Sequence, residues 1–197
     1  AKVMDMAEYA RREINEIGGY YAYGKELVNG TSVYDYDVTK LSVHTLGLGL
    51  AGIEVYDLLR DEYDIQIEFG DVSNILAYIS IGDRLQDIER LVGALADIAR
   101  IYKKDSTGML SGEFISPIVA RSPQEAFYSA KESMPVEKTE GRISGEFVMC
   151  YPPGIPILAP GEMITDEIIQ YILYVKEKGC SMQGTEDKSV NKLKVLV

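Results

Sequence analysis

The sequence contains a single histidine, His44, and two cysteines, Cys150 and Cys180. Metal sites draw mostly on clustered histidine, cysteine and carboxylate side chains, so this scarcity argues against a metal centre and favours a structural role for His44. Two cysteines in a chain of this length indicate a reducing compartment rather than a disulfide scaffold, so we predict a cytoplasmic location. A Gly-x-Ser-x-Gly motif is missing, and no cysteine lies close to the histidine in sequence, so a hydrolase triad lacks support.

Basic residues are outnumbered, and long apolar runs are missing. The chain has 20 Lys+Arg against 31 Asp+Glu, which gives a formal net charge of −11. Such an excess of negative charge argues against nucleic acid and anionic membrane surfaces as partners. No apolar run reaches the length of about 18 residues that a membrane-spanning helix needs, and we recognise no signal peptide.

The first half of the chain shows clear hydrophobic periodicity. Apolar residues at helical spacing predict amphipathic helices at residues 2–17, 50–61 and 84–102. Alternating apolar residues predict strands at 40–46, 65–69 and 75–81, with a tyrosine-rich connector at 20–36. The order strand–helix–strand–strand–helix predicts an α/β (α+β) fold in which a split β-α-β unit forms a ferredoxin-like layered sheet.

The second half is less regular and predicts a smaller α+β domain. Ser122 and Thr165 are candidate helix N-caps, and Thr165 precedes a predicted helix at 166–178. Strands are predicted on either side of that helix, at 143–149 and 192–197. We predict the boundary between the two halves at residues 105–116.

Residues 47–52 have the sequence GLGLAG, which matches the G-x-G-x-x-G dinucleotide-binding motif. The motif follows a predicted strand and opens a predicted helix, and Glu68 lies at roughly the required spacing of about 20 residues. A dinucleotide-binding unit, however, needs a crossover helix between its second and third strands. Only residues 70–74 separate those strands here, which suits a hairpin turn. We therefore interpret the glycines as positions where the helix packs closely on the sheet.

Four of the seven prolines fall within residues 151–162, which have the sequence YPPGIPILAPGE. Proline fixes φ, removes a backbone donor and pushes the preceding residue toward extended conformations. Residues 150–162 are therefore predicted to be a stiff, extended segment that is neither a helix nor a central strand. The segment ends on the carboxylate of Glu162. A stiff backbone can present such a charge to a ligand with little entropy cost, and the structural alternative is an anion near the positive end of a helix.

The block at 142–165, RISGEFVMCYPPGIPILAPGEMIT, resembles the C-terminal region of the ornithine/lysine/arginine decarboxylases. Residues 122–127 (SPQEAF) and 37–41 (DVTKL) resemble other pieces of the shorter bacterial members of this family. The resemblance covers roughly residues 9–172. It implies a fold of the aspartate-aminotransferase type and decarboxylation of a basic L-amino acid with pyridoxal phosphate. Arginine is the favoured substrate, then lysine, then ornithine, and the activity would feed polyamine synthesis.

The resemblance also implies what this chain does not contain. In the family, the lysine that holds the cofactor follows a Ser-x-His pair, whereas His44 is followed here by Thr45. No catalytic or cofactor-binding residue is therefore expected in the chain, and the cofactor domain is expected N-terminal to it. The isolated chain, which begins without methionine, is expected to be an inactive fragment.

The resemblance further implies a division of the chain into three regions. Residues 1–36 would be a helix and connector from the missing large domain, 37–104 the aminotransferase-type small domain, and 105–197 the decarboxylase C-terminal domain. The chain would close over the active site and help to recognise the substrate. The candidate substrate-binding residues are Glu162, Tyr151, Pro153 and Gly154. The expected partners are the basic amino acid, the enzyme's own cofactor domain and further copies in a homo-oligomer.

A second hypothesis stays open from the residues alone. The first half could belong to a stand-alone ferredoxin-like α/β module that regulates or binds without catalysis. The sequence upstream of residue 1 distinguishes the two hypotheses, because a large α/β domain with a Ser-x-His-Lys motif is required only by the enzyme.

Overall fold

A computed structural model of the protein describes residues 2–106, 115–151 and 153–197. The chain divides into two compact units, Ala1–Ser111 and Gly112–Val197, which we call the N-terminal unit and the C-terminal unit. The boundary predicted at 105–116 falls largely outside the described residues. The three-part division into 1–36, 37–104 and 105–197 stays a prediction.

The N-terminal unit is an antiparallel sheet covered by helices. Within its described residues the elements are α1 (Lys2–Asn15), β1 (Tyr21–Ala22), β2 (Lys40–His44), α2 (Gly52–Tyr63), β3 (Phe69–Gly70), β4 (Asn74–Tyr78) and α3 (Leu85–Ile101). Short 3₁₀ turns lie at Lys25–Leu27 and Leu46–Leu48. The strands lie in the order β1-β2-β4-β3, and every neighbouring pair is antiparallel.

The predicted split β-α-β arrangement is confirmed. β2 and β3 both run antiparallel to β4, which lies between them, so they are parallel to each other and α2 is their crossover. Strand alternation puts Leu41 and Val43 of β2 and Ile75 and Ala77 of β4 in the interior. The three helices bury their apolar sides in the same hydrophobic cluster as these residues. The sheet therefore carries its helices on one face, as an α+β layered fold does.

The glycines at 47–52 fit the close-packing interpretation. Gly52 begins α2 where the helix approaches the sheet, and a β-carbon there would overlap the carbonyl oxygen of Asn74 in β4. Gly49 has a φ of +71°, in the left-handed region that favours glycine. Every pair of neighbouring strands in the described part of this unit is antiparallel, whereas a dinucleotide-binding fold has parallel neighbours.

Arg11 of α1 fixes the connector between β1 and β2. The residue is 5% exposed, and Nη2 donates to the carbonyl oxygen of Val38 at 3.0 Å, while Nη1 contacts Glu8 at 2.9 Å. Nε donates to the carbonyl oxygen of Tyr23. A buried guanidinium is tolerated when its donors are satisfied in this way. α1 and its connector thus pack with the sheet, and the origin of residues 1–36 in a larger domain stays a prediction.

Several predicted bounds in this unit need correction. The strand predicted at 65–69 is limited to β3, because Ile65 and Ile67 pack their side chains on the core from a loop. The helix predicted at 50–61 begins two residues later, after the 3₁₀ turn. The sequence does not predict β1, which lies within the stretch predicted as a connector.

The C-terminal unit consists of short strands around one helix. Within its described residues the elements are α4 (Pro123–Tyr128), β5 (Lys131–Pro135), β6 (Val148–Tyr151), β7 (Ile155–Leu158), α5 (Asp166–Glu177), β8 (Ser181–Gln183) and β9 (Lys192–Leu196). β5 pairs with β9, and a second sheet has the order β7-β6-β8, with all pairs antiparallel. Apolar residues of α5, including Ile168 and Ile172, form a second hydrophobic core with strand residues such as Val148, Leu158 and Leu193.

The two predicted helix caps in this unit are confirmed. Ser122 accepts a hydrogen bond from the backbone N–H of Glu125 and forms a capping box with it at the start of α4. Thr165 Oγ1 accepts from the backbone N–H of Ile168 at 3.3 Å at the start of α5. The strand predicted at 143–149 is displaced and becomes β6.

Candidate functional site

The proline-rich segment forms a β-hairpin rather than one extended run. Its first residues end β6, which is the central strand of its sheet, so the prediction that the segment contains no central strand is wrong for Cys150 and Tyr151. The remainder forms β7, an edge strand that contains Pro156. Proline is tolerated there because an edge strand can leave one side of its backbone unpaired. Pro152 lies outside the described residues.

Tyr151 and Gly154 meet at the tip of this hairpin. The backbone N–H of Gly154 donates to the carbonyl oxygen of Cys150 at 2.8 Å, and the glycine has a φ of +91°. A β-carbon at Gly154 would lie 3.3 Å from Cδ2 of the Tyr151 ring. The ring is half exposed, and Pro153 is exposed beside it. The tip therefore presents an aromatic surface on a closely defined turn.

The backbone around Glu162 is held by two neighbouring segments. The carbonyl oxygen of Glu162 accepts from the backbone N–H of Ser144 at 2.8 Å. On the other side, the carbonyl oxygen of Gly161 accepts from the N–H groups of Ala120 at 2.9 Å and Arg121 at 3.0 Å. Gly161 has a φ of +94°, and a β-carbon there would overlap the carbonyl oxygen of Arg121. This backbone position is therefore rigid and specific for glycine.

The carboxylate of Glu162 belongs to its own turn rather than to the first turn of α5. Oε2 accepts from the backbone N–H of Ala159 at 2.9 Å, and the residue is half-buried. Among the described residues, no lysine or arginine forms an ion pair with it. A carboxylate has two oxygens that together accept several hydrogen bonds, so acceptor capacity remains for a further donor.

The candidate residues fall into two groups instead of one. Tyr151, Pro153 and Gly154 lie at the tip of the hairpin, whereas Glu162 lies beyond its base, where Val148 pairs with Leu158. At about 3.3 Å per residue, the length of β7 separates the groups by roughly 15 Å. The structure therefore does not bring all four residues around one small ligand.

A cavity of about 490 Å³ lies in this unit, between residues 121–129, 141–143 and 196–197. Its lining includes Arg121, Arg142, Glu125 and Ser129. The pKa of Glu125 is lowered, first by the backbone N–H and then by the hydroxyl of its cap residue, so it is held as an anion. With two guanidinium groups in the wall, the cavity does not suit a basic ligand by itself.

Arg142 links three parts of the C-terminal unit through contacts that the sequence does not predict. Its Nη2 donates to Glu132 Oε1 and to the carbonyl oxygen of Leu196, both at 2.7 Å. These partners lie on β5 and β9. The sequence does not predict β5, because its residues, KESMP, have little apolar character, so nothing indicated that Arg142 would meet them.

The remaining candidate positions have structural partners. His44 Nδ1 lies 3.3 Å from Asn74 Oδ1, and its ring contacts that of Tyr23 edge to face. Thr45, the residue that follows His44, is buried, and its Oγ1 donates to the carbonyl oxygen of Leu50 at 2.9 Å. In residues 2–106, 115–151 and 153–197, no cluster of three or more His, Cys, Asp or Glu side chains could hold a metal ion. No helix in these same ranges is long and apolar enough to cross a membrane.

Comparison with known proteins finds a family match that includes the proline-rich segment. Residues 111–188 match a family model described as "Orn/Lys/Arg decarboxylase, C-terminal domain". The chain is 38% identical to the arginine decarboxylase of Bacillus subtilis (strain 168) over 198 residues, which cover 99% of this chain. It is 39% identical to the arginine decarboxylase of Halalkalibacterium halodurans over 199 residues, which cover 98% of this chain. The alignments span 40% of each of these relatives.

The fold is also similar to that of a solved structure. The constitutive lysine decarboxylase of E. coli aligns with a TM-score of 0.68 and 18% sequence identity, over 100% of this chain and 40% of that protein. At this level of identity the similarity concerns the fold alone.

Proposed function

We propose a function from one premise, which is that this chain belongs to the Orn/Lys/Arg decarboxylase family and carries the C-terminal region of such an enzyme. The whole enzyme would release the α-carboxylate of a basic L-amino acid as carbon dioxide. The observation that carries this proposal is the identity of 38% and 39% to two proteins named arginine decarboxylase, over nearly the whole chain. No observation favours a stand-alone regulatory module.

Arginine is the substrate that we propose first, since both of those relatives are named for it. Lysine comes second and ornithine third, since the matched family model is described for all three amino acids. The amine product would feed polyamine synthesis. We also propose that the enzyme acts in the cytoplasm, because a chain with only two cysteines, both of them buried, suits a reducing compartment.

Pyridoxal phosphate is the cofactor that we propose for the whole enzyme, and the described residues of this chain do not fit as its holder. A Schiff-base lysine needs a desolvated site that lowers its pKa. Every lysine in the described ranges is exposed or half-buried, and the only histidine of the chain, His44, is followed by a threonine rather than by a lysine. We therefore assign the cofactor to a part of the enzyme outside this chain and derive no step through it.

Glu162 is the residue that we propose to meet the distal cation of the substrate. A guanidinium or ammonium group taken from water needs a fixed counter-charge, or its desolvation opposes binding. The backbone bonds of Glu162 and Gly161 hold the carboxylate in place, and the remaining acceptor sites suit a guanidinium, which can donate two hydrogen bonds to one carboxylate.

Tyr151, Pro153 and Gly154, which were expected from the sequence to bind the substrate, are proposed instead to contact the cofactor domain at the active-site entrance. Their distance from Glu162 along β7 means that one amino acid cannot touch both groups. The exposed tip suits closure over the active-site entrance by contact with the cofactor domain, while Glu162 recognises the substrate. The two roles can be tested separately, because a tip variant should change closure and a Glu162 variant should change substrate preference.

We further propose that the whole enzyme is a homo-oligomer. Val119, Phe127 and Tyr128 are each more than 60% exposed, and such apolar side chains tend to be covered in an assembly. Sedimentation of the whole enzyme at several concentrations tests this proposal, and a monomer at all of them would contradict it.

The proposed activity is tested on the whole enzyme that contains this chain. Carbon dioxide release would be measured with arginine, lysine and ornithine, with and without added pyridoxal phosphate. The proposal predicts cofactor-dependent release that is fastest with arginine. The isolated chain, assayed in parallel, should release none and should give no stoichiometric aldimine absorption band. Failure of the whole enzyme with all three amino acids would overturn the proposal.

A further inference from the structure

The loop between β1 and β2 contains the one Asn-Gly pair of the chain, at Asn29 and Gly30. Both residues are exposed. Asn29 Oδ1 accepts hydrogen bonds from three backbone N–H groups, those of Thr31 at 3.0 Å, Ser32 at 2.9 Å and Val33 at 3.1 Å. The hydroxyl of Thr31 donates to the same atom at 3.0 Å. One side-chain oxygen therefore lies in a nest of four donors.

Such a nest of donors suits a negatively charged oxygen better than the neutral oxygen of an amide. Successive backbone N–H groups that converge on one point stabilise negative charge, as they do in oxyanion holes. An asparagine oxygen carries only a partial charge, so the nest at position 29 holds more donors than its present occupant requires.

A second loop of the chain shows what a comparable nest holds. Asp187 Oδ1 accepts from the N–H of Ser189 at 3.0 Å, and Oδ2 accepts from the N–H groups of Asn191 at 2.9 Å and Lys192 at 3.0 Å. The Ser189 hydroxyl, followed by these backbone donors, lowers the pKa of Asp187 to about 2. The loop at Asn29 also directs several backbone N–H groups and a hydroxyl at one side chain, all of them at a single oxygen, but it holds an amide where the other loop holds a carboxylate.

We propose that Asn29 is a site of spontaneous deamidation, which its own loop promotes by stabilising the oxyanion that forms on Oδ1. The residue that follows is a glycine, so no side chain hinders an attack by its backbone nitrogen. Gly30 has a φ of +72°, and a β-carbon there would meet no atom within 4 Å. The space around Gly30 is therefore open.

The reaction balances with water as the only co-reactant. The backbone nitrogen of Gly30 loses its proton to solvent base and forms a bond to Cγ of Asn29, which leaves negative charge on Oδ1. The side-chain nitrogen takes up a proton and leaves as ammonia, and a succinimide ring remains. Water opens the ring at one of its two carbonyl carbons and gives aspartate or isoaspartate. The attack must break only one long hydrogen bond of the nucleophile, from the Gly30 N–H to the carbonyl oxygen of Val33 at 3.2 Å.

Mass spectrometry of peptides from the folded chain tests the proposal. After incubation in mildly alkaline buffer and proteolysis, the peptide with Asn29 should gain one mass unit, or three in water labelled with heavy oxygen. Asn191 is the matched control, since it is also exposed and hydrogen-bonded, to Lys176 Nζ at 2.7 Å, but precedes a lysine. We expect Asn29 to react several-fold faster than Asn191.

A free peptide with the sequence of residues 25–36 separates the effect of the loop from that of the Asn-Gly pair. The proposal predicts that Asn29 reacts in the folded chain at least as fast as in the peptide. A slower reaction in the folded chain would show that the loop protects Asn29, and it would overturn the proposal.

A second measurement tests whether the nest accepts the product. Asn29→Asp should keep or raise the melting temperature of the chain at neutral pH, because the new carboxylate would be bound as Asp187 is. A lower melting temperature would mean that the nest rejects a carboxylate, and the proposed stabilisation of the oxyanion would fail with it.

Discussion

The N-terminal unit and the C-terminal unit are each stabilised internally, but by different kinds of interaction. In the first, residues of three helices and one sheet face, such as Leu41, Leu59 and Leu95, form one extensive apolar core. In the second, the core is smaller, and loops are joined by backbone hydrogen bonds such as those of Gly161 and Ser144. The first unit should therefore be most sensitive to lost side-chain volume. The second should be most sensitive to changes in backbone geometry, including the geometry that holds Glu162.

The largest stability effect is expected from a cavity in the N-terminal core. Leu95 of α3 is fully buried, and Leu95→Ala should lower the free energy of unfolding of this unit by about 2–5 kcal/mol. Leu85→Ala at the start of the same helix, where the side chain is 48% exposed, should cost much less. Urea unfolding followed by circular dichroism measures both, and equal losses would contradict the claim that the N-terminal unit depends on side-chain volume in its core.

A backbone change should have a comparable effect in the C-terminal unit. Gly161→Ala adds a β-carbon at a φ of +94° and against the carbonyl oxygen of Arg121, so we expect a loss of about 2–4 kcal/mol. Gly179→Ala is the matched control, because its φ of +79° is also left-handed but no atom lies within 4 Å. It should cost only about 1–2 kcal/mol. Similar losses would mean that the overlap with the Arg121 carbonyl oxygen adds nothing to the cost of the left-handed φ.

The same contrast explains how far the sequence predicted the fold. α1 and α3 were predicted to within two residues of their ends, because their pattern is local and each buries one face. β5, with few apolar residues, pairs with β9 from almost the other end of its unit, and no local pattern indicates such a pairing. The apolar residues around Ile67 mimic a strand because loop packing and strand pairing bury side chains equally well.

Two glycines in the N-terminal unit should respond in opposite directions. Gly52→Ala would force a β-carbon against the carbonyl oxygen of Asn74, which we expect to cost about 1–3 kcal/mol. Gly93→Ala, in the middle of α3 with no atom within 4 Å, should instead raise stability by about 0.5–1 kcal/mol. Melting temperatures measure both variants. A stabilising Gly52→Ala would contradict the close-packing account of the glycine-rich stretch.

The smallest expected effect is a pH dependence in the C-terminal unit. The hydroxyl of Ser189, followed by backbone N–H groups, lowers the pKa of Asp187 from 3.8 to about 2. A carboxyl group whose pKa is lower in the folded state contributes stability above its unfolded pKa and loses it as the pH falls through the folded value. The difference in stability between the wild type and Asp187→Asn should therefore shrink between about pH 4 and pH 2. A difference that is constant over this range would contradict the role of the nest.

The candidate site was predicted less completely than the fold. The proline-rich pattern located a stiff segment and its terminal carboxylate, Glu162, but not the hairpin that separates the carboxylate from Tyr151. Hairpin formation depends on pairing between β6 and β7, and this pairing runs through Pro156, which sequence rules count against a strand. The Arg142 contacts were missed for the same reason, since they depend on where β5 and β9 meet.

The most direct measurement is kcat/KM of the whole enzyme with Glu162→Gln. The proposal that the half-buried Glu162 is the counter-charge of the substrate cation predicts a cost of about 2–5 kcal/mol, which corresponds to a fall in kcat/KM on the order of 30-fold or more for arginine, lysine and ornithine. The melting temperature and the cofactor absorbance should stay unchanged, because the glutamine oxygen can still accept from the Ala159 N–H. Glu167→Gln, an exposed change in the first turn of α5, should leave kcat/KM near the native value. A near-native kcat/KM for Glu162→Gln with all three amino acids would contradict the account.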